Sequence, residues 1–268
     1  SAEVSISQLF IAGVLPGILL AALFSGYIML WALRHPEQVP AADVSMSFMQ
    51  KLSESRSLIP VVLLIAAVLG SIYTGFATAT EAAAVGVVGS LVLSAVQGSM
   101  TWGTFKDSLM GATRLYCMIA LILAGAAFLT LAMGYIGLPR HLAEWIASLG
   151  LNQAQLIVAL AVFYIILGCF LDGISMVVLT MGVLMPTVQA AGIDTIWFGI
   201  FIVLVVEMAQ ITPPVGFNLF VLQGMTGRQL PWIAKVAMPM FFLMCGAVAL
   251  IYVFPGIVTW LPQQMSAR

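Results

Sequence analysis

The sequence contains very little charge. Nine Lys and Arg residues and ten Asp and Glu residues make up 7% of the 268 residues, and the formal net charge is −1. Soluble domains carry about a quarter of their residues as charged ones, so this composition excludes an ordinary soluble protein. Because no basic block is present, nothing indicates binding to nucleic acid or a polybasic anchor on a lipid surface.

Cysteines and catalytic motifs are also scarce. The three cysteines, Cys117, Cys169 and Cys245, stand singly in apolar surroundings without a CxxC pair. This pattern favours buried thiols over a disulfide framework or a metal site. The sequence contains no HExxH, GxSxG, Walker A or Rossmann pattern, and it offers few polar residues for a catalytic site. We therefore predict that the protein is not an enzyme.

Apolar residues dominate the chain. They make up 62% of it, and the mean hydropathy is +1.14, which predicts an all-α protein embedded in the lipid bilayer. A hydrocarbon core about 30 Å thick needs about 20 apolar residues in a helix. The sequence predicts membrane spans at 9–33, 58–73, 81–96, 112–136 and 233–260, an interfacial helix within 43–57 and a connector helix at 140–148.

Two helix breaks lie inside sequence that is apolar enough to cross a membrane. Apolar segments 155–170 and 176–191 are joined by a polar corner around Asp172, which predicts a re-entrant helical hairpin over 155–191. Segments 197–211 and 217–225 flank Thr212-Pro213-Pro214, which predicts a broken helix. Backbone groups without hydrogen-bond partners are tolerated within the membrane only when they are buried in protein or line a water-filled cavity. Transporters bind their substrates at such places. The breaks therefore predict a transporter.

Several polar residues near these breaks are candidates for binding an ion or a substrate. Asp172 is a carboxylate in apolar sequence, which needs a partner, a proton or water; alternatively, it caps the helix that follows. Glu207 faces either a polar crevice or the protein interior. Ser175 and Asn218 can hydrogen-bond a substrate carboxylate or hydroxyl, or each can cap a half-helix.

The double proline is the more specific signal. Pro213 and Pro214 donate no backbone hydrogen bond, so carbonyls at 208–211 are predicted to lack helical partners. Free carbonyls together with the Thr212 hydroxyl suit a hard cation such as Na⁺. The alternative is a proline kink that neighbouring helices pack around.

Segments 9–16 and 231–239 resemble each other, and each precedes a long apolar helix. If the similarity between the two segments reflects a true repeat, it indicates a protein built from inverted repeats. The second repeat is then complete in this chain, and the first is represented by its end. A chance similarity between two short segments is the alternative.

Three motifs carry a resemblance to a known family. The stretches Thr-Glu-Ala-Ala-Ala-Val (80–85), Gly-Cys-Phe-Leu-Asp-Gly (168–173) and Thr-Pro-Pro-Val-Gly-Phe-Asn-Leu-Phe (212–220) closely resemble the large membrane subunit of tripartite ATP-independent periplasmic (TRAP) transporters. Their order and spacing match as well, and 192–200 adds to the match. The resemblance covers the whole chain, which corresponds to the later part of the family's sequence.

The resemblance implies a fold and a function. The fold is the elevator fold of the ion-transporter superfamily, with scaffold helices at 1–110, a transport domain at 111–230 and a C-terminal scaffold helix at 231–268. The function is Na⁺-coupled uptake of a small organic anion, such as a C4-dicarboxylate, sialic acid or a related sugar acid, across the bacterial inner membrane. The implied partners are a small four-helix membrane subunit and a soluble periplasmic binding protein.

The resemblance also implies site residues. A Na⁺ site built mostly from backbone carbonyls maps onto Gly168, Ala209, Thr212 and Val215, although Ala209 stands where the family often has Gly. The residues proposed for substrate contact are Asp172, Gly173, Ser175, Pro213, Pro214 and Asn218. Two alternatives remain: a divalent-anion symporter that needs no binding protein, and a channel or structural subunit.

Overall fold

A computed structural model describes residues 5–39, 49–50, 55–168, 170–213 and 216–266, and every regular element in these residues is a helix. The α-helices are α1 (Ile6–Ala12), α2 (Val14–Arg34), α3 (Ile59–Tyr73), α4 (Ala79–Val96), α5 (Trp102–Ile136), α6 (Leu138–Ser148), α7 (Gln153–Gly168), α8 (Gly173–Ala190), α9 (Thr195–Gln210), α10 (Phe217–Thr226), α11 (Leu230–Val253) and α12 (Gly256–Ser266). The prediction of an all-helical chain is confirmed for these residues.

Five stretches of the described residues are long and apolar enough to cross a membrane. They are Ile6–Arg34, Ala79–Val96, Trp102–Ile136, Gly173–Ala190 and Leu230–Val253. Helices α3, α7 and α9 are apolar but shorter, at 15 to 16 residues. Because an α-helix rises 1.5 Å per residue, each of these three is about 24 Å long or less, which is shorter than the hydrocarbon core.

Most predicted helix bounds agree with the structure to within a few residues, but three predicted spans differ. The first, 9–33, is divided at Gly13 into α1 and α2. Helix α5 begins at Trp102, ten residues before the predicted start of that span. The predicted last span, 233–260, is two helices, because α11 ends at Val253 and Pro255 follows its C-cap. Most of the predicted interfacial helix within 43–57 lies outside the described residues.

One compact unit of the chain, Tyr27–Leu115, is built around a helical hairpin of α3 and α4. A capping box starts α4: the Thr78 hydroxyl accepts from the Glu81 amide, and the Glu81 carboxylate accepts from the Thr78 amide. A Cβ added to Gly89 would lie 2.3 Å from Leu64. Small residues at this interface let the two backbones approach closely, as in other membrane helix pairs.

The other compact unit comprises Ser1–Gly26 and Tyr116–Arg268, and α9 lies at its centre. Helix α9 packs against α1, α7, α8, α11 and α12. Ten of its 16 residues are buried, while Val203 and Glu207, one turn apart, form an exposed stripe. A helix that is apolar nearly all round belongs to a core, so α9 is the element around which this unit is packed.

A side chain of α9 donates a hydrogen bond to a backbone carbonyl of α11 that lacks its helical partner because of a proline. The carbonyl of Ile251 would normally accept from the amide four residues later, but that residue is Pro255 and has no N–H. The indole Nε1 of Trp197 donates to this carbonyl instead, at 2.9 Å in the buried core. Trp197 also stacks on Phe201, with ring centroids 5.6 Å apart. This bond ties the start of α9 to the end of α11.

We expect Trp197→Phe to lower the thermal stability of the full-length protein in detergent. The substitution leaves the Ile251 carbonyl unpaired in the core and removes ring volume, and each of these effects costs about 1–3 kcal/mol. The matched control is Trp260→Phe on α12, where the indole is 54% exposed. Equal melting temperatures for the two variants would contradict a role for the indole hydrogen bond.

Candidate functional site

The hairpin corner is closed by Asp172. This residue is the N-cap of α8 and accepts from the amides of Ile174 and Ser175, at 3.1 Å each. The Ser175 hydroxyl donates to the other carboxylate oxygen. The capping alternative for Asp172 is therefore correct. Because both of its oxygens already accept hydrogen bonds, this carboxylate is stabilised without a cation or proton.

Two glycines bring the hairpin against the end of α9. A Cβ added to Gly168, the last residue of α7, would lie 2.3 Å from the Cβ of Ala209. A Cβ added to Gly173, at the start of α8, would lie 2.4 Å from Nε2 of Gln210 and 2.8 Å from Val206. At Gly168 the clash is with a Cβ atom fixed to the backbone of α9, so only glycine fits there. At Gly173 a larger residue would displace the side chains of Gln210 and Val206. The corner thus lies against the last turn of α9, directly before the helix break.

The helix break begins at Ile211. The amide of Thr212 donates to the carbonyl of Ala209 at 3.2 Å, and the Thr212 hydroxyl donates to the carbonyl of Met208 at 2.5 Å. The prediction that the carbonyls at 208–211 all lack partners is therefore wrong for Met208 and Ala209. The Thr212 amide, in a tightened last turn, takes the place of the amide that Pro213 cannot supply to Ala209. The Thr212 hydroxyl then pairs with the Met208 carbonyl, which the Thr212 amide would otherwise have served.

Gly216 ends the break in a conformation that favours glycine, with φ at +24°. A Cβ there would lie 2.9 Å from the carbonyl oxygens of both Gln210 and Thr212. Two backbone oxygens therefore lie close to the Cα of Gly216. Such oxygens are ligands of the type that hard cations prefer, and Ala209 does not prevent the chain from leaving the helix after Gln210.

A hydrogen bond crosses the break. Nδ2 of Asn218, in the first turn of α10, donates to Oε2 of Glu207 on α9 at 3.4 Å. Glu207 also borders a cavity of about 680 Å³, whose other walls are apolar apart from Thr226. Glu207 is exposed beside an apolar cavity, so the prediction that it faces either a polar crevice or the protein interior is wrong. The contact between Asn218 and Glu207 links the two halves of the broken helix at their exposed side.

The structure brings together most of the residues predicted for the site. Gly168, Ala209 and Thr212, predicted for Na⁺, lie at the contact between the hairpin and the break, while Val215 lies outside the described residues. Of the residues predicted for substrate contact, Gly173 and Ser175 lie in the first turn of α8, Pro213 is exposed in the break, and Pro214 is outside the described residues.

Sequence reasoning missed Gln210. It is the last residue of α9, and it contacts the hairpin through Gly173 and the break through Gly216. The available signal was a carboxamide at the end of an apolar segment, two residues before Thr212-Pro213. The contact with Gly173 was not visible, because the two residues are far apart in the chain.

Comparisons with known proteins agree on one family. The family model described as "Tripartite ATP-independent periplasmic transporter, DctM component" matches residues 1–257. The chain is 29% identical to the C4-dicarboxylate TRAP transporter large permease protein DctM of Pseudomonas aeruginosa, over 98% of this chain and 61% of that protein. It is equally identical to the protein of that name from Rhodobacter capsulatus, over 98% of this chain and 59% of the relative.

A relative with a different substrate in its name matches almost as well. The sialic acid TRAP transporter large permease protein SiaM of Vibrio cholerae is 27% identical, over 97% of this chain and 60% of that protein. The chain thus spans about three fifths of the length of these relatives. These relatives, together with the helices long enough to cross a membrane, show that the chain is a multi-pass protein of the inner membrane.

Proposed function

Because the chain belongs to the DctM family of tripartite ATP-independent periplasmic transporters, we propose that the full-length protein takes up a small organic anion by Na⁺-coupled secondary transport. The observation that carries the proposal is the contact between the ends of the hairpin helices and the last turn of α9, directly before the helix break. Two irregular backbone segments meeting inside apolar sequence are the arrangement that transporters use for ions and substrates. The proposed substrate class is C4-dicarboxylates, sialic acid or related sugar acids, following the names of the relatives.

The partners are part of the proposal. A tripartite transporter requires two further components, which we propose to be a small four-helix membrane subunit and a soluble periplasmic substrate-binding protein. The binding protein would deliver the anion. The fold proposed for the full-length protein is an elevator with inverted repeats, in which a transport domain moves against a scaffold.

In the proposed mechanism, Na⁺ orders the contact between the hairpin and the break. The ion would bind to oxygens of Gly168, Ala209, Thr212 and Val215, and its charge would help the site to accept an anion. A ligand shifts an equilibrium between two states only by its differential affinity for them. Coupling therefore arises if the carbonyls adopt the binding arrangement only when the hairpin is closed on α9.

The packing assigns helices to the transport domain and the scaffold differently from the prediction. Helices α1, α11 and α12 pack against α9, and Trp197 is hydrogen-bonded to the end of α11. Buried apolar contacts of this kind do not separate during rigid-body motion. We therefore propose that these helices move with the hairpin and the broken helix, rather than belonging to the scaffold predicted at 1–110 and 231–268.

The experiment is uptake of ¹⁴C-labelled succinate and N-acetylneuraminate into proteoliposomes that contain the full-length protein and its small subunit. Uptake is measured with and without the binding protein and a Na⁺ gradient. Uptake of either acid that needs both supports the proposal. Uptake driven by Na⁺ without the binding protein favours a divalent-anion symporter, and non-saturable flux that needs neither favours a channel.

A further inference from the structure

Gln210 places a free carboxamide at the proposed binding site. Its Nε2 atom lies against the backbone of Gly173 at the hairpin corner, where an added Cβ would approach it to 2.4 Å. The side chain is half-buried at the end of α9. Within the described part of the chain, this carboxamide makes no hydrogen bond, although it has two N–H donors and one acceptor.

The neighbouring polar side chains are already engaged. Asp172 accepts three hydrogen bonds from the first turn of α8, and one of them comes from the Ser175 hydroxyl. The Thr212 hydroxyl donates to a carbonyl of the preceding turn, and Asn218 donates to a glutamate of α9. Among these side chains, Gln210 has the largest unused capacity to donate.

The chemistry of an organic anion matches this capacity. A carboxylate is an acceptor only, so it needs donors, and a nearby carboxylate such as Asp172 repels it. A neutral carboxamide donates to the anion without requiring a buried positive charge. Its oxygen also accepts from a substrate hydroxyl, which a sugar acid carries and an unsubstituted dicarboxylate does not.

We propose that Gln210 is a substrate-binding residue whose side-chain amide donates to the anion held between the hairpin corner and the helix break. This inference rests on the proposed function. It assigns anion contact to a residue of the broken helix that faces the hairpin, while Asp172 and Ser175 shape the corner around it. A buried hydrogen bond to a charged group favours binding more than one between neutral groups.

The test compares two variants of the full-length transporter in proteoliposomes. Gln210→Glu keeps the shape but replaces both donors by acceptors and adds a like charge, whereas Gln210→Met keeps the approximate volume and removes all hydrogen bonding. For whichever of succinate and N-acetylneuraminate the wild type transports, we expect the KM to rise about 10- to 100-fold in both variants, and more for Gln210→Glu. The Na⁺ concentration for half-maximal uptake, measured at saturating acid, should change less than threefold (roughly 0.6 kcal/mol).

The matched control is Gln189→Glu, on the exposed end of α8 that is remote from the corner. Since α8 has 18 residues, Gln189 lies about 24 Å along the helix from Gly173. An unchanged KM in both Gln210 variants would overturn the inference while the proposed function stands. Equal loss of substrate and Na⁺ affinity would also overturn it, because a side chain that only packs against Gly173 would produce that result. Absence of Na⁺-driven uptake by the wild type would instead contradict the proposed function.

Discussion

Gly168→Ala should reduce Na⁺-driven uptake strongly, even though alanine is the better helix former. The new methyl group would lie 2.3 Å from the Cβ of Ala209, whereas carbon atoms in contact are normally about 3.5–4.0 Å apart. The end of α7 must then move away from α9, at an overpacking cost of about 1–3 kcal/mol. If the closed contact is the transporting one, that cost lowers uptake roughly 5- to 150-fold.

A compensating variant makes this prediction specific. Adding Ala209→Gly to Gly168→Ala removes the clashing methyl group, and the remaining contacts of the new Cβ, with Met176 and the Ala209 Cα, are 3.3 and 3.4 Å. We expect the double variant to recover most of the uptake. The control is Gly246→Ala on α11, where an added Cβ meets no atom within 4 Å. A double variant as impaired as Gly168→Ala would show that the two residues do not act through this contact.

Thr212→Val should weaken the Na⁺ dependence of uptake. Valine keeps the shape of threonine but removes the hydroxyl, which donates to the Met208 carbonyl in the break and has lone pairs available for a cation. We expect the Na⁺ concentration for half-maximal uptake to rise about tenfold, equivalent to about 1.4 kcal/mol. Thr212→Ser, which keeps the hydroxyl, should remain close to the wild type.

The broken helix provides a matched control for this variant. The hydroxyl of Thr226 donates to the Leu222 carbonyl at 2.7 Å, one turn back, as Thr212 does to Met208. Thr226→Val therefore removes an equivalent hydrogen bond away from the break. If both valine variants changed the Na⁺ dependence equally, or if neither changed it, Thr212 would not belong to a Na⁺ site.

The sequence predicted the helices well because their ends carry local signals. Apolar runs end at glycines and prolines, and Thr78 and Glu81 had the spacing of the capping box that the structure contains. The corner at Asp172 and the break at Thr212 were predicted for the same reason. In each case a few neighbouring residues determine the backbone, so no tertiary information was needed.

The contacts that assemble the site could not be predicted in this way. Gly173 and Gln210 meet because α8 packs on α9, and no local pattern encodes that pairing. The same is true of Trp197 and the Ile251 carbonyl, which are 54 residues apart. Pro255 lies inside the span predicted at 233–260, and its missing N–H interrupts α11 there; the partner of the Ile251 carbonyl, Trp197, was not visible in the sequence.

The length of α5 has a consequence for the membrane that surrounds the protein. Its 35 residues extend about 52 Å at 1.5 Å per residue, against a hydrocarbon thickness of roughly 30 Å. Its charged residues, Lys106, Asp107 and Arg114, are all in the first half, so those turns can lie among lipid headgroups. The 22 residues that follow Arg114, 115–136, carry no charge and extend about 33 Å. They cover the hydrocarbon core with about 3 Å to spare, so a modest change of tilt would accommodate bilayers of slightly different thickness at a small energetic cost.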